Sequence, residues 1–131
     1  MKKILLIDAN DTYIWCLQKY FQRRGYPIET ASTLKEARTA IQEEMPLVIC
    51  CDLDLPDGTA MELFHALRRV AGMFQMKNPR VRLLPFFILT ENGDLATEYE
   101  YRHEGVNDYI TAPVNIPELI RRIMYFVEDS K

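Results

Sequence analysis

Residues 48–58 read VICCDLDLPDG, and the fold turns on how that stretch is taken. Four apolar residues, Val48 to Cys51, run straight into Asp52. Asp54 follows, and Pro56-Asp57-Gly58 closes the segment with turn residues. A short apolar run without alternation suits a strand buried on both faces. Ending it in two carboxylates puts charge at the carboxyl end of a strand, which is where sites form in doubly wound sheets.

The flanking chain repeats the same unit. KILLI (3–7) is a second compact run, ending at Asp8. Residues 11–24 place Ile14, Leu17 and Phe21 on one helical face, and Gly25 stops that helix. PIETA (27–31) is shorter and more polar, as expected of a sheet edge. Thr33-Leu34-Lys35-Glu36 has the form of a capping box, with Leu34, Ala37, Ile41 and Met45 at helical spacing behind it.

Beyond the opening stretch, residues 59 to about 72 carry Leu63, Phe64, Leu67 and Val70 at helical spacing, and a long connection over 71–84 leads to FFILT (86–90). A tyrosine-rich segment then ends at Gly105, DYIT (108–111) is the fifth strand, and Asn115 caps a last helix with Leu119, Ile123 and Val127 inward. Five strands alternating with five helices make βαβ units, hence an α/β fold with a parallel sheet covered on both faces. Asp8, Asp52, Thr90 and Thr111-Ala112 should therefore converge at one edge.

Composition limits the function classes. At 131 residues, 48% hydrophobic and 27% charged, with five Gly and seven Pro, the chain fits one globular domain over 1–131. A net charge of −3 argues against a nucleic-acid partner. The pairs Arg23-Arg24, Arg68-Arg69 and Arg121-Arg122 fall on different helices and read as solvated faces. MKKILLID holds four apolar residues before Asp8, short of the roughly 7–15 of a secretory signal. No run approaches the roughly 20 residues of a membrane span. Three cysteines make neither a disulfide framework nor a zinc spacing, and His65 and His103 lie far apart. The expectation is a cytoplasmic protein with no membrane contact.

Two chemical readings of DLDLPDG compete. Asp52 and Asp54 have the Asp-x-Asp spacing of haloacid-dehalogenase-like phosphatases. In those, however, the pair usually follows the first strand of a core that also needs a downstream Lys, and here two βα units precede it. The whole chain, from about Lys2 to Val127, resembles instead the CheY-like receiver domain of bacterial response regulators. ILLID, DLDLPDGTAMEL, ILT and GVNDYITAP carry the match, in order.

The resemblance implies a flavodoxin-like (βα)5 doubly wound sheet of strand order 2-1-3-4-5 and a part in phosphorelay signalling rather than enzyme catalysis. It makes Asp52 the phosphoacceptor, with Thr90 and Tyr109 the switch pair. Mg²⁺ would be held by Asp8, Asp52 and the backbone carbonyl of Asp54. A cis peptide is expected before Pro113. The expected partners are a histidine kinase or phosphotransfer protein, and a downstream signalling protein on the face of the fourth helix, fifth strand and fifth helix. A homodimer is a further option.

Three positions depart from that family. Ala9 stands where receivers carry their second strand-one acid, Ala112 where they carry Lys, and Glu91 where they carry a small residue. Each lost charge-assisted contact is worth on the order of 1–3 kcal/mol. Mg²⁺ is thus expected to bind weakly or not at all. Glu91 has three readings: a substitute carboxylate, a charge that repels the phosphodonor, or a solvent-facing side chain. At this length an output domain that binds DNA is not expected. Two functions follow: a receiver phosphorylated at Asp52 through an incomplete site, or a pseudo-receiver that binds its partner independently of phosphorylation.

Overall fold

The apolar runs become strands, and their residues alternate between two helical layers, which explains why they read as continuous. The computed structural model describes residues 2–73 and 84–129. In chain order these form β1 (Ile4–Ile7), α1 (Asp11–Arg23), β2 (Ile28–Ala31), α2 (Leu34–Glu43) and β3 (Val48–Cys51). There follow β4 (Asp54–Leu55), β5 (Gly58–Thr59), α3 (Ala60–Met73), β6 (Phe86–Thr90), α4 (Leu95–Glu104), β7 (Asp108–Thr111) and α5 (Ile116–Asp129). The side chains of Val70 and Val127, and residues 74–83 of the long connection, lie outside the described residues.

Five strands form one parallel sheet in the order β2-β1-β3-β6-β7, the flavodoxin-like order expected. Leu5, Ile7, Ile49, Cys51, Phe86 and Ile88 face the layer containing Leu34, Leu63 and Tyr101, so α2, α3 and α4 cover that side. Ile4, Leu6, Val48, Cys50, Phe87 and Leu89 face Leu17, Phe21, Leu119 and Ile123, so α1 and α5 cover the other. Cys50 and Cys51 are therefore sequence neighbours on opposite faces. Both are free, and burial pushes both thiols up, Cys50 to about 12.

The helix starts follow the sequence signals. Asn10 and Thr33 accept the N–H groups of Tyr13 and Glu36 at 3.0 and 3.1 Å, and Asn115 accepts that of Glu118 at 3.0 Å. The reciprocal arm of the Thr33 box goes one residue earlier than usual, from the Ser32 N–H and hydroxyl to Glu36. Gly105, with φ at 110°, ends α4 in the left-handed conformation that favours glycine.

Two features were not read from the sequence. Five strands were expected; the described residues add the antiparallel pair β4–β5 within the DLDLPDGT loop. That pair is pinned to α2 by Asp57, whose carboxylate accepts the Leu34 and Lys35 N–H groups at 2.7 and 3.0 Å. Gly58 makes the close approach possible: its φ is 151°, and a Cβ there would lie 2.6 Å from Leu34 Cδ1. At the other edge, buried Asp108 on β7 accepts from Arg102 of α4 and Arg122 of α5 at 3.2 and 3.0 Å. Arg122 is thus part of a clamp, not only a solvated charge.

Candidate functional site: an acidic cleft at the strand ends

The register brings the expected residues together. Ile7 pairs with Cys51 and Cys51 with Ile88, so Asp8 and Asp52 emerge side by side from β1 and β3. The Asp8 N–H donates to the Ala31 carbonyl at 3.0 Å and the Asp52 N–H to the Ile7 carbonyl at 2.9 Å, fixing both exits. Thr90 ends β6 opposite Thr111, and the Ala112 N–H donates to the Thr90 carbonyl at 2.7 Å. The Ala112–Pro113 peptide is cis, as the resemblance implied.

These ends surround a cleft of about 250 Å³. Asp8, Asp52, Asp54 and Glu91 bring four carboxylates to it. Thr90 brings a hydroxyl, Tyr13 forms part of the wall, and Ala112 offers only a methyl group. Among the described residues no Lys or Arg lines it. Burial raises the pKa of Asp52; the Leu53 N–H, donating at 2.8 Å, and the Thr90 hydroxyl pull it back, while Asp54 and Glu91 push it further up. Burial likewise raises Asp8, with the Asn10 N–H opposing at 2.8 Å and the charges of Asp52 and Glu91 adding to the rise. Glu91 therefore lines the cleft and adds repulsion there.

A divalent cation here would draw on the Asp8 and Asp52 carboxylates, with water completing its shell. Mg²⁺ takes about six oxygens near 2.0–2.1 Å. Asp8 and Asp52 are adjacent, but Ala9 adds no carboxylate and the Asn10 side-chain oxygen is spent on the α1 cap. Among the described residues, no three His, Cys, Asp or Glu side chains are grouped so as to hold a metal.

Tyr109 does not line the cleft; it reaches it through Asn92. Its buried hydroxyl donates to the Asn92 carbonyl at 2.8 Å, and the Asn92 N–H donates to the Thr90 hydroxyl at 3.1 Å. One residue thus ties the two members of the expected switch pair together with Tyr109 turned inward. The Tyr109 ring also lies 6.2 Å from that of Tyr101, whose hydroxyl accepts the Met61 N–H at the start of α3.

Sequence reasoning passed over Tyr13 and Asn92. Tyr13 stands four residues before buried Leu17 on α1, a spacing that turns it toward the sheet. Its hydroxyl is the single fully buried side-chain polar atom without a hydrogen-bond partner among the described residues. Burial, then the charges of Asp8, Cys50, Asp52 and Glu91, push its pKa up to about 12.

An acidic cleft at the carboxyl edge of a five-stranded parallel sheet of this order is the arrangement that the resemblance to receiver domains implies. The chain belongs to the response regulator receiver domain family, whose model matches residues 4–124. It is 25% identical over 123 residues to the photosynthetic apparatus regulatory protein RegA of Rhodobacter capsulatus, covering 94% of this chain and 61% of that protein. It is 28% identical over 130 residues to the alkaline phosphatase synthesis transcriptional regulatory protein PhoP of Bacillus subtilis, covering 99% of this chain and 50% of that one. The chain thus spans about half to three fifths of the length of these relatives. The receiver domain of the Francisella response regulator 1452 superposes with a TM-score of 0.83 at 24% identity, covering 100% of both chains. A CheY-like receiver domain protein of Methanospirillum hungatei does so with a TM-score of 0.79 at 22% identity, covering 98% of this chain and 95% of that one.

Proposed function

We propose that this receiver takes a phosphoryl group on Asp52 through a site left incomplete by Ala9 and Ala112. The observation that carries the reading is the placement of Asp52: half-buried at the end of β3, held by the Leu53 N–H, and opening on the cleft toward Thr90. A carboxylate so placed can attack phosphorus and form an acyl phosphate. Catalysis of that transfer is mostly positioning and charge neutralisation. Four carboxylates without a lining cation oppose the approach of an anionic donor, so uptake is slow. Asp8, Asp52 and the Asp54 carbonyl hold Mg²⁺ only weakly.

In this reading the domain is a signalling element and not an enzyme. It works in the cytoplasm, receives phosphate from a histidine kinase or phosphotransfer protein, and passes its state to a protein partner on the α4–β7–α5 face. The net charge of −3 gives no support to a nucleic-acid contact, and among the described residues no helix is long and apolar enough to cross a membrane.

A second reading, a pseudo-receiver recognised in a fixed conformation, is favoured by Asn92. Its backbone bonds to both Thr90 and Tyr109 hold the tyrosine inward through main-chain groups of this chain alone. Intact mass after incubation with acetyl phosphate and Mg²⁺ separates the two. Uptake by the wild type that Asp52→Asn abolishes supports the first, and no uptake by the wild type supports the second.

A further inference from the structure

An incoming phosphoryl group spreads negative charge over three oxygens, each of which needs a donor or a cation. The cleft that would receive it here offers four carboxylates and, among the described residues, no lining Lys or Arg. Its neutral side-chain donors are the hydroxyls of Thr90 and Tyr13 and the amides of Asn10 and Asn92. The Thr90 hydroxyl already accepts the Asn92 N–H and faces Asp52. The side-chain oxygens of Asn10 and Asn92 hold the Tyr13 and Asp94 N–H groups, which fixes both amides in place at exposed positions.

Tyr13 is different. Its ring packs against the α1 and α5 side of the core, and its hydroxyl is fully buried yet without a partner among the described residues. It lines the large cleft, and it also walls a hollow of about 10 Å³ with Asp8, Cys50 and Asp52. That places the Tyr13 side chain beside the two strand ends that carry the carboxylates, whose charges reach its hydroxyl. A buried donor left unpaired carries a stability cost, and such groups are rare in folded proteins. A phenol is also a donor that carries no charge of its own, so it needs no salt-bridge partner to be buried.

We propose that Tyr13 contacts the phosphoryl group in this cleft, its hydroxyl donating a hydrogen bond to a non-bridging oxygen where a cationic donor is lacking. The inference rests on the reading of Asp52 as phosphoacceptor. In the step itself an Asp52 carboxylate oxygen forms a new bond to phosphorus as the bond from phosphorus to the donor's acyl oxygen breaks. Acetate leaves with that electron pair, and the Tyr13 proton stays on its own oxygen throughout.

The test is Tyr13→Phe, which deletes only the hydroxyl, made in the wild type and in the Ala9→Asp/Ala112→Lys background. Each protein is given saturating acetyl phosphate with Mg²⁺, the rate of mass gain is followed, and the thermal midpoint is measured. The expected result is a rate lower by roughly ten- to hundred-fold in the wild-type background, and a smaller but measurable loss where Ala112→Lys supplies a cation. The midpoint should hold or rise, because an unpaired buried donor has been removed. An unchanged rate overturns the proposal while leaving Asp52 as acceptor. A slowed rate with a lowered midpoint assigns Tyr13 to packing and also overturns it. No uptake in either background overturns the Asp52 reading, and this inference with it.

Discussion

Replacing Asp108 with Asn should loosen the α4–β7–α5 face that the proposed output uses. Asp108 is 8% exposed, and its Oδ1 accepts from Arg102 at 3.2 Å and from the Tyr109 N–H at 2.9 Å, while Oδ2 accepts from Arg122 at 3.0 Å. With charge centres near 4 Å and an effective dielectric of about 20, each ion pair has a gross attraction of about 4 kcal/mol. Burying the carboxylate cancels part of that. The Arg102 and Arg122 side chains, 43% and 42% exposed, keep contact with water and retain Glu98 and Glu118 as partners. Asn preserves the bond to the Tyr109 N–H but removes the charge, so we expect a loss of about 1–2 kcal/mol. Ala also strips that N–H of its acceptor, and about 2–3 kcal/mol should go. Urea unfolding at neutral pH measures both variants against the wild type. An Asn variant within about 0.5 kcal/mol of the wild type would refute the clamp as a source of stability, since changes that small are typical of inert surface positions.

Two further outcomes follow from the cleft. Mg²⁺ titration followed by amide shifts around Asp52 should show no saturation below the millimolar range; sub-millimolar saturation would mean that Glu91 or Asn10 supplies the ligand Ala9 does not. Burial raises the pKa of Asp8 and of Asp52 above the ordinary 3.8, so the native state keeps protons that the unfolded chain has released. Stability should therefore fall as pH rises from that value through the raised native pKa values, and then level off. Asp52→Asn should flatten this fall and raise stability at neutral pH. An unaltered pH slope in the variant would show that Asp52 is not under charge strain.

The strands were legible because burial on both faces leaves an unbroken apolar run, and the helices because Asn10, Thr33 and Asn115 cap them locally. The convergence of Asp8, Asp52 and Thr90 followed from strand order alone. What escaped depends on contacts distant in sequence or on depth. Asp57 read as a turn residue, yet it caps a helix 22 and 23 residues earlier. The β4–β5 pair has two-residue strands, too short to show a period. Nothing in the sequence distinguishes a tyrosine with a satisfied hydroxyl from Tyr13, whose hydroxyl is buried without one. Glu91 needed geometry too, because one residue after a strand end can turn either way.

The most direct test compares acetyl phosphate uptake by the wild type with that of Ala9→Asp/Ala112→Lys. Ala9 is exposed and Ala112 partly so, which lets both substitutions rebuild charge without entering the core. The rate of mass gain at Asp52, with Asp52→Asn as the blank, is the measurement. We expect the double variant to load faster than the wild type by at least about ten-fold, since each restored contact carries on the order of 1–3 kcal/mol. A wild type that loads as fast as the variant would show that Ala9 and Ala112 are not defects. A folded variant that stays inert would show that the strand ends do not converge on Asp52 as a phosphoacceptor.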